Sequence, residues 1–307
     1  MQEILKLGTT TWTYVQEPNK EAIHKLAKKY DFHEVIVDDL LEINAQSKID
    51  KNSNHFFLAL TFTKYVEAGK RYLLNELDVI IGDDFIVTTI PLESLSFKGL
   101  LETMKKETLA PHESYKSSPY YILYRIIDSF YDKTMKSLAV SAKTLFAIQE
   151  DMSDKKVEKN VVEDLMTENL NKIFIKHNFL SQEDVLSELI EHIDTLHDKH
   201  LKVYYNSLKV KLSKIISTIK VLSEKNESLM KAYNTFVGIK NNDNVTRLTF
   251  VNAIFMPLTL IAGIGGMSER SMMTGSANWR VSYPLFILLC VAIGYITVRI
   301  FRKFFIK

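Results

Sequence analysis

The chain has 307 residues, with 39 Lys+Arg against 37 Asp+Glu and a net charge of +2. Charges that nearly cancel leave no global basic field for nucleic acid, and a lone cysteine, Cys290, excludes a disulfide framework and a cysteine-based zinc cluster. The 10 glycines are scattered, with no G-x-x-x-x-G-K-[ST] loop and no nucleophile-elbow or zincin spacing, which argues against nucleotide hydrolysis and against an enzyme.

The first residues, MQEILKLGTTTW, lack the basic-then-apolar pattern of a secretory signal, so the polar part of the chain is expected in the cytosol. Residues 1–118 read as a mixed α/β domain. KEAIHKLAKKY (Lys20 to Tyr30) and FHEVIVDDLLEIN (Phe32 to Asn44) carry apolar positions at helical spacing. FFLALTFTKYV (Phe56 to Val66), RYLLNELDVIIG and DDFIVTTI (Asp84 to Ile90) are rich in β-branched and aromatic residues between Gly and charge clusters, as strands are.

Then the punctuation stops. Between Pro119 and Gly238 lie 118 residues without a Gly or a Pro, the two strong helix breakers, so long helices are expected. Polar breaks near Asp151–Lys156 and His177–Ser181 divide them into a helical region at 119–180 and a stalk helix at 181–247. The stalk carries a heptad seam: Tyr205, Leu208, Leu212, Ile215, Ile219, Leu222, Asn226, Leu229, Tyr233 and Phe236 alternate by threes and fours, with Asn226 a register-setting polar insert. Two readings fit this seam, burial against the chain's own helices or self-association with further copies. On the same stretch, His192, His197 and His200 with Asp194 and Asp198 read either as a metal-sensing patch or as a solvated helix surface.

Two uncharged runs follow: Leu248 to Met267, of 20 residues, and Val281 to Val298, of 18. A helix needs roughly 20 apolar residues to cross the hydrocarbon core. Transmembrane helices are therefore expected at 248–267 and 281–298, with an external loop at 268–280 and a basic tail at 299–307. Positive flanks favour the cytoplasmic side; Lys240 and Arg247 precede the first run, and Arg299, Arg302, Lys303 and Lys307 follow the second. Both termini inside a plasma or inner membrane is the consistent topology, with Trp279 and Tyr283 at the outer interface.

The three-and-four stripe continues into the first run through Asn242, Val245, Thr249, Asn252, Met256, Thr259, Gly263 and Gly266. Asn and Thr on one face of a membrane helix are costly unless they face protein or water, and Gly on that face lets backbones approach closely. Glue between the two spans and the lining of a polar hole both fit. Pro257 removes the donor for the Ala253 carbonyl, which is satisfied either by pore water or in a kink packed on a neighbour.

The segment IFMPLTLIAGIGGMSE, Ile254 to Glu269, resembles the end of the first transmembrane helix of CorA-type magnesium transporters, which read close to IFMPLTFIAGIYGMN. The second span with its basic tail, FIVTTI, and SSPYYILYRIIDSFYD (Ser117 to Asp132) are also similar to that family. The resemblance implies a funnel of cytosolic α/β domains and long stalk helices, assembled as a homopentamer in the bilayer, with no cofactor and a divalent cation as cargo. Carried over residue by residue, pore-lining sites fall on Asn242, Val245, Leu248, Thr249, Asn252, Met256, Thr259 and Gly263. The outer mouth falls on Gly266, Met267, Ser268 and Glu269, and the passing metal is expected near Ser268, Thr259, Asn252 and Asn242. Three positions depart from the family pattern: Ser268 replaces its Asn, Gly265 its aromatic residue, and Lys231 stands where some members carry an acidic magnesium sensor. The family function implied is passage of Mg²⁺, or of Co²⁺ or Ni²⁺, down the membrane potential. A zinc-handling or proton-coupled relative and a non-conducting scaffold are the alternatives.

Overall fold

The structure is a computed structural model and describes residues 2–42, 46–51, 55–90, 99–104, 118–153, 161–267 and 279–305; the side chains of 68, 264–267, 279–283, 286 and 300–305 are outside that description. The chain divides into two compact units, Met1–Met230 and Lys231–Lys307.

In the first unit, six strands form one sheet in the order β1-β2-β6-β5-β4-β3. They are β1 Gln2–Leu7, β2 Thr10–Gln16, β3 Lys48–Lys51, β4 Phe56–Val66, β5 Arg71–Ile81 and β6 Phe85–Ile90. β2 and β6 are parallel, and the other neighbours run antiparallel. The longest pairing is the β4–β5 hairpin, from Phe56 opposite Ile81 to Val66 opposite Arg71, closed by a turn in which Lys70 takes a left-handed φ of 47°. The sequence reading found β4, β5 and β6 but not β1, β2 or β3.

Strand alternation sends side chains to two faces. Val15, Phe57, Ala59, Ile80 and Val87 pack with Ile23 and Leu26 of α1 (Lys20–Tyr30) and with Ile36, Val37 and Leu40 of α2 (Glu34–Leu41). Asn19 caps α1, its side chain accepting from Ala22 N at 2.8 Å. The expected second helix is shorter than Phe32 to Asn44, since His33 is its N-cap and Glu42 already leaves helical geometry. On the α2 side the sheet buries two acids, Glu76 and Asp78. Burial, then the neighbouring Glu76, pushes the Asp78 carboxyl well above the usual range, although Thr89 Oγ1 donates to its Oδ2 at 2.9 Å.

The other face is covered by α4 (Pro119–Ser153) and α5 (Val161–Thr195), which follow a helical segment at 99–104, α3. Phe62 of β4 stacks on Phe130 of α4 with ring centroids 4.3 Å apart, and Phe179 of α5 meets it edge-on at 6.3 Å. Polar residues of α5 fix the hairpin beneath. Asn171 Nδ2 donates to the Lys70 carbonyl at 2.8 Å while its Oδ1 accepts from Tyr72 N at 3.3 Å, and the Gln182 side-chain amide donates to the Thr61 carbonyl.

Those contacts correct the expected break at His177–Ser181 and the boundary at 180/181. The helix runs through that stretch because Asn178 and Gln182 are buried docking residues, and Asn178 bonds the Phe174 carbonyl of its own helix at 2.7 Å. The helix breaks instead at residues 196–198, where His197 has a φ of 55°. Asp198 then opens α6 (Lys199–Met267), its Oδ1 accepting from His200 N at 2.9 Å and Leu201 N at 3.1 Å. The stalk helix therefore begins at Lys199, not at 181. The other expected break, near Asp151–Lys156, coincides with the end of α4 at Ser153.

The heptad seam is buried within the chain from Tyr205 to Leu229. α4 faces it through Tyr205 Oη, which donates to the Tyr120 carbonyl at 2.8 Å, and α5 through Asn226 Nδ2, which donates to the Leu165 carbonyl at 3.1 Å. Over this stretch the reading of burial against the chain's own helices holds, and self-association through it does not. The spacing defines which residues share a face, while two 35-residue helices, each about 52 Å long, are what cover it. Tyr233 and Phe236, beyond the first unit, are only half-buried.

The second unit contains the C-terminal part of α6 and α7 (Trp279–Phe305). Each helix carries one proline, Pro257 and Pro284, without losing helical assignment.

Candidate functional site

At about 100° per residue, Asn242, Val245, Leu248, Thr249, Asn252, Met256, Thr259 and Gly263 fall within an arc of about 120° on α6. All eight are exposed, Met256 the most at 74%. The half-buried residues of the same segment, Thr246, Phe250, Ala253, Ile254, Pro257, Leu258 and Ile261, lie on the opposite side. α7 has its own half-buried strip of Cys290, Ile293, Gly294, Thr297 and Val298. The exposed Asn/Thr/Gly stripe and the half-buried strip therefore lie on different sides of α6.

Pro257 lies in the half-buried strip rather than in the stripe.

The threonines have defined proton positions. Thr249 Oγ1 donates to the Val245 carbonyl at 2.9 Å and Thr259 Oγ1 to the Phe255 carbonyl at 2.7 Å. With the proton turned back into the helix, each hydroxyl offers its remaining lone pair outward as an acceptor. Asn252, between the two threonines, and Asn242, about two turns N-terminal to Thr249, add exposed carboxamides. The stripe thus alternates oxygen acceptors with apolar rungs at Val245, Leu248 and Met256.

Gly263 is the small member of the stripe. A Cβ built there meets nothing within 4 Å in the single chain, so the chain's own packing does not demand glycine. Gly266 and Met267 end α6 as helical backbone. Ser268 and Glu269, the remaining expected outer-mouth residues, fall outside the described residues.

The expected histidine patch does not assemble: among the described residues no group of three or more His, Cys, Asp or Glu could hold a metal ion. His192 Nε2 pairs with Tyr120 Oη at 2.8 Å and its ring packs on Phe56 with centroids 4.0 Å apart, and burial, then Lys51, pulls its pKa down. Asp194 takes Lys202 at 2.9 Å, Asp198 caps α6, and His197 is spent on the turn. Spacing put these residues near one another in sequence, but a left-handed turn divides them between two helices. Lys231 is an exposed residue of α6.

Among the described residues, one helix is long and apolar enough to cross a bilayer, the one bearing the stripe, with a mean hydropathy of 1.6 over its most apolar 18 residues. α7 contributes a shorter apolar stretch at Ile287–Arg299.

Known proteins share this architecture. The family described as CorA-like Mg²⁺ transporter protein matches residues 8–303. The cobalt/magnesium transport protein CorA of Thermotoga maritima is 22% identical over 297 residues, covering 96% of this chain and 83% of that protein. The CorA magnesium transporter of Methanocaldococcus jannaschii superposes with a TM-score of 0.80 at 19% identity, covering 96% of this chain and 91% of the other. Full-length CmaX gives 0.74 at 16% identity, over 96% and 88%. The α/β domain, long helices and C-terminal helix pair are thus the CorA fold, and the chain belongs to the CorA-like Mg²⁺ transporter family, a family of membrane transporters of divalent cations and not of enzymes.

Proposed function

We propose that several copies of the chain, five by family resemblance, set the Asn242-to-Gly263 stripe around a shared aqueous axis and pass Mg²⁺, or Co²⁺ or Ni²⁺, down the membrane potential. The observation that supports this reading is the stripe's position: exposed, rich in oxygen acceptors, and on the side of α6 away from its half-buried strip. A divalent cation gains about 4.6 kcal/mol from 100 mV of inside-negative potential, at about 2.3 per charge, so no nucleotide hydrolysis is needed.

Residues 248–267 form the inner span, 268–280 the external loop, 281–298 the outer span and 299–307 a basic cytosolic tail, with both termini in the cytosol. Mg²⁺ sheds its water shell reluctantly, and Asn252, Thr259 and Asn242 accept hydrogen bonds from that shell without stripping it. Leu248 and Met256 are apolar constrictions that gate by dewetting. Ser268 and Glu269 stand at the outer mouth. A serine ring there is wider and weaker than the family's asparagine ring, and Glu269 adds negative charge.

The test is metal-by-metal flux into proteoliposomes under a potential. Uptake of Mg²⁺, Co²⁺ or Ni²⁺ by a stable oligomer supports the reading, and an oligomer that passes none of them ends it. The Asn-to-Ser change at 268 favours one second reading, a non-conducting scaffold. A silent wild type that gains flux on Ser268→Asn would establish it, and a conducting wild type excludes it. Zn²⁺ uptake with a proton-gradient dependence would identify the zinc-handling alternative.

A further inference from the structure

Within the first unit, α3 and α4 line an open polar cavity of about 430 Å³ with Thr103, Arg125, Ser129, Lys133 and Lys136 in its wall. Asp128 and Asp132 also line it, but both are engaged from α6: Lys211 Nζ donates to Asp128 Oδ1 at 2.5 Å and to Asp132 Oδ1 at 2.8 Å. A lysine that is not part of the wall thus holds both acids and offsets one of their two negative charges. Among the described residues, Arg125, Lys133 and Lys136 together with Lys211 then outnumber the two carboxylates by four to two. Arg125, Ser129, Lys133 and Lys136 recur at intervals of four, four and three, which puts them on one face of α4.

Lys133 shows that excess most clearly. Its Nζ sits 4.7 Å from the centroid of the Phe130 ring, which attracts a cation but does not neutralise it. Burial pulls its pKa down to about 8, with no carboxylate among the causes to offset it. A half-buried ammonium in that position is stabilised by whatever anion enters the cavity.

We propose that this cavity binds a phosphate-bearing anion of roughly nucleotide size. The volume lies in the range of small-molecule sites, about 300–1,000 Å³. Lys133 and Lys136, with Arg125 beside them in the same wall, match phosphate oxygens. A metal cation is the wrong guest, because Lys211 already occupies the two carboxylates. The phosphate comes from a soluble metabolite or from a lipid headgroup, and the experiment separates these sources.

The full chain in detergent micelles, with EDTA present, is titrated calorimetrically with pyrophosphate, with ATP and with short-chain phosphatidic acid. The expected result is saturable binding whose Kd rises at least tenfold in Lys133→Met and in Lys136→Gln, and is unchanged in Lys143→Gln, a lysine of α4 outside the cavity. Binding of pyrophosphate or ATP assigns a soluble ligand, and binding of phosphatidic acid alone assigns a headgroup. No binding of any probe below millimolar, or binding indifferent to both cavity variants, overturns the site. A second readout needs no variant: acylation of Lys133 at pH 8, followed by mass spectrometry, slows at least tenfold when the probe is bound. Equal labelling with and without a saturating probe overturns the proposal as well. Neither readout measures ion flux, so this site and the transport reading fail independently.

Discussion

Asn226 of α6 donates its side-chain N–H to the Leu165 carbonyl of α5 at 3.1 Å, deep in a seam of leucine and isoleucine. The contact ties the heptad of α6 to one register against α5 of the same chain. The Oδ1 of this amide is buried with no hydrogen-bond partner, so the position already carries a polar cost. Asn226→Asp would place a carboxylate against a carbonyl oxygen in the same space. Loss of at least about 2 kcal/mol is expected, read as a lower urea midpoint for the full chain in micelles. Asn226→Leu removes the stranded Oδ1 and is expected to hold or raise that midpoint.

His197 supplies the second prediction. Its φ of 55° ends the turn between α5 and α6, and a Cβ there costs about 1 kcal/mol that glycine does not carry. His197→Gly is expected to hold or raise thermal stability, by up to about 0.5 kcal/mol after the entropy glycine adds to the unfolded chain. A loss of stability would mean that the imidazole makes a contribution beyond the turn.

The same turn shows where sequence reasoning reached its limit. β4, β5 and β6 were legible because β-branched and aromatic runs end at glycines and charges, and α1 because its apolar residues keep a helical period. The α5–α6 break contains no Gly or Pro, and a histidine entering the left-handed region leaves no compositional trace. Conversely, the polar residues around Asn178 and Gln182 looked like a break and are docking groups for Thr61 and the helix itself. The stripe from Asn242 to Gly263 was legible as a face. That α4 and α5 cover the seam above it was not, since periodicity names the buried side of a helix and never its neighbour.

Lys133 gives a pH-dependent prediction with a definite sign. Its folded pKa of about 8 lies below the ordinary lysine value of 10.5. Below pH 8 the amine is charged in both states, and the folded state bears the full desolvation cost. Between about pH 8 and 10.5 the folded state loses its proton first and the cost disappears, so stability rises with pH over that window. Lys133→Met is therefore expected to be more stable than wild type at pH 7, with the gap closing by pH 10.5. Parallel thermal melts across that range check it. A gap that is constant or widens with pH would contradict the assignment of the shift to burial.

Gly263 and Met256 test the stripe itself. Because a Cβ at Gly263 meets nothing within 4 Å in one chain, Gly263→Val is expected to leave the thermal midpoint of the first unit, Met1–Met230, unchanged. If copies close around this face, the branched side chain obstructs either their approach or the path between them. Divalent-cation uptake into proteoliposomes should then fall at least tenfold, with or without a change of oligomeric state on size exclusion. Met256→Thr acts in the opposite sense, since a hydroxyl at the most exposed apolar rung lowers the cost of wetting the constriction. Its uptake is expected to exceed that of wild type at the same potential. The pair separates a pore from a lipid-facing helix: on a helix turned toward acyl chains, valine would be tolerated and threonine would be the harmful substitution.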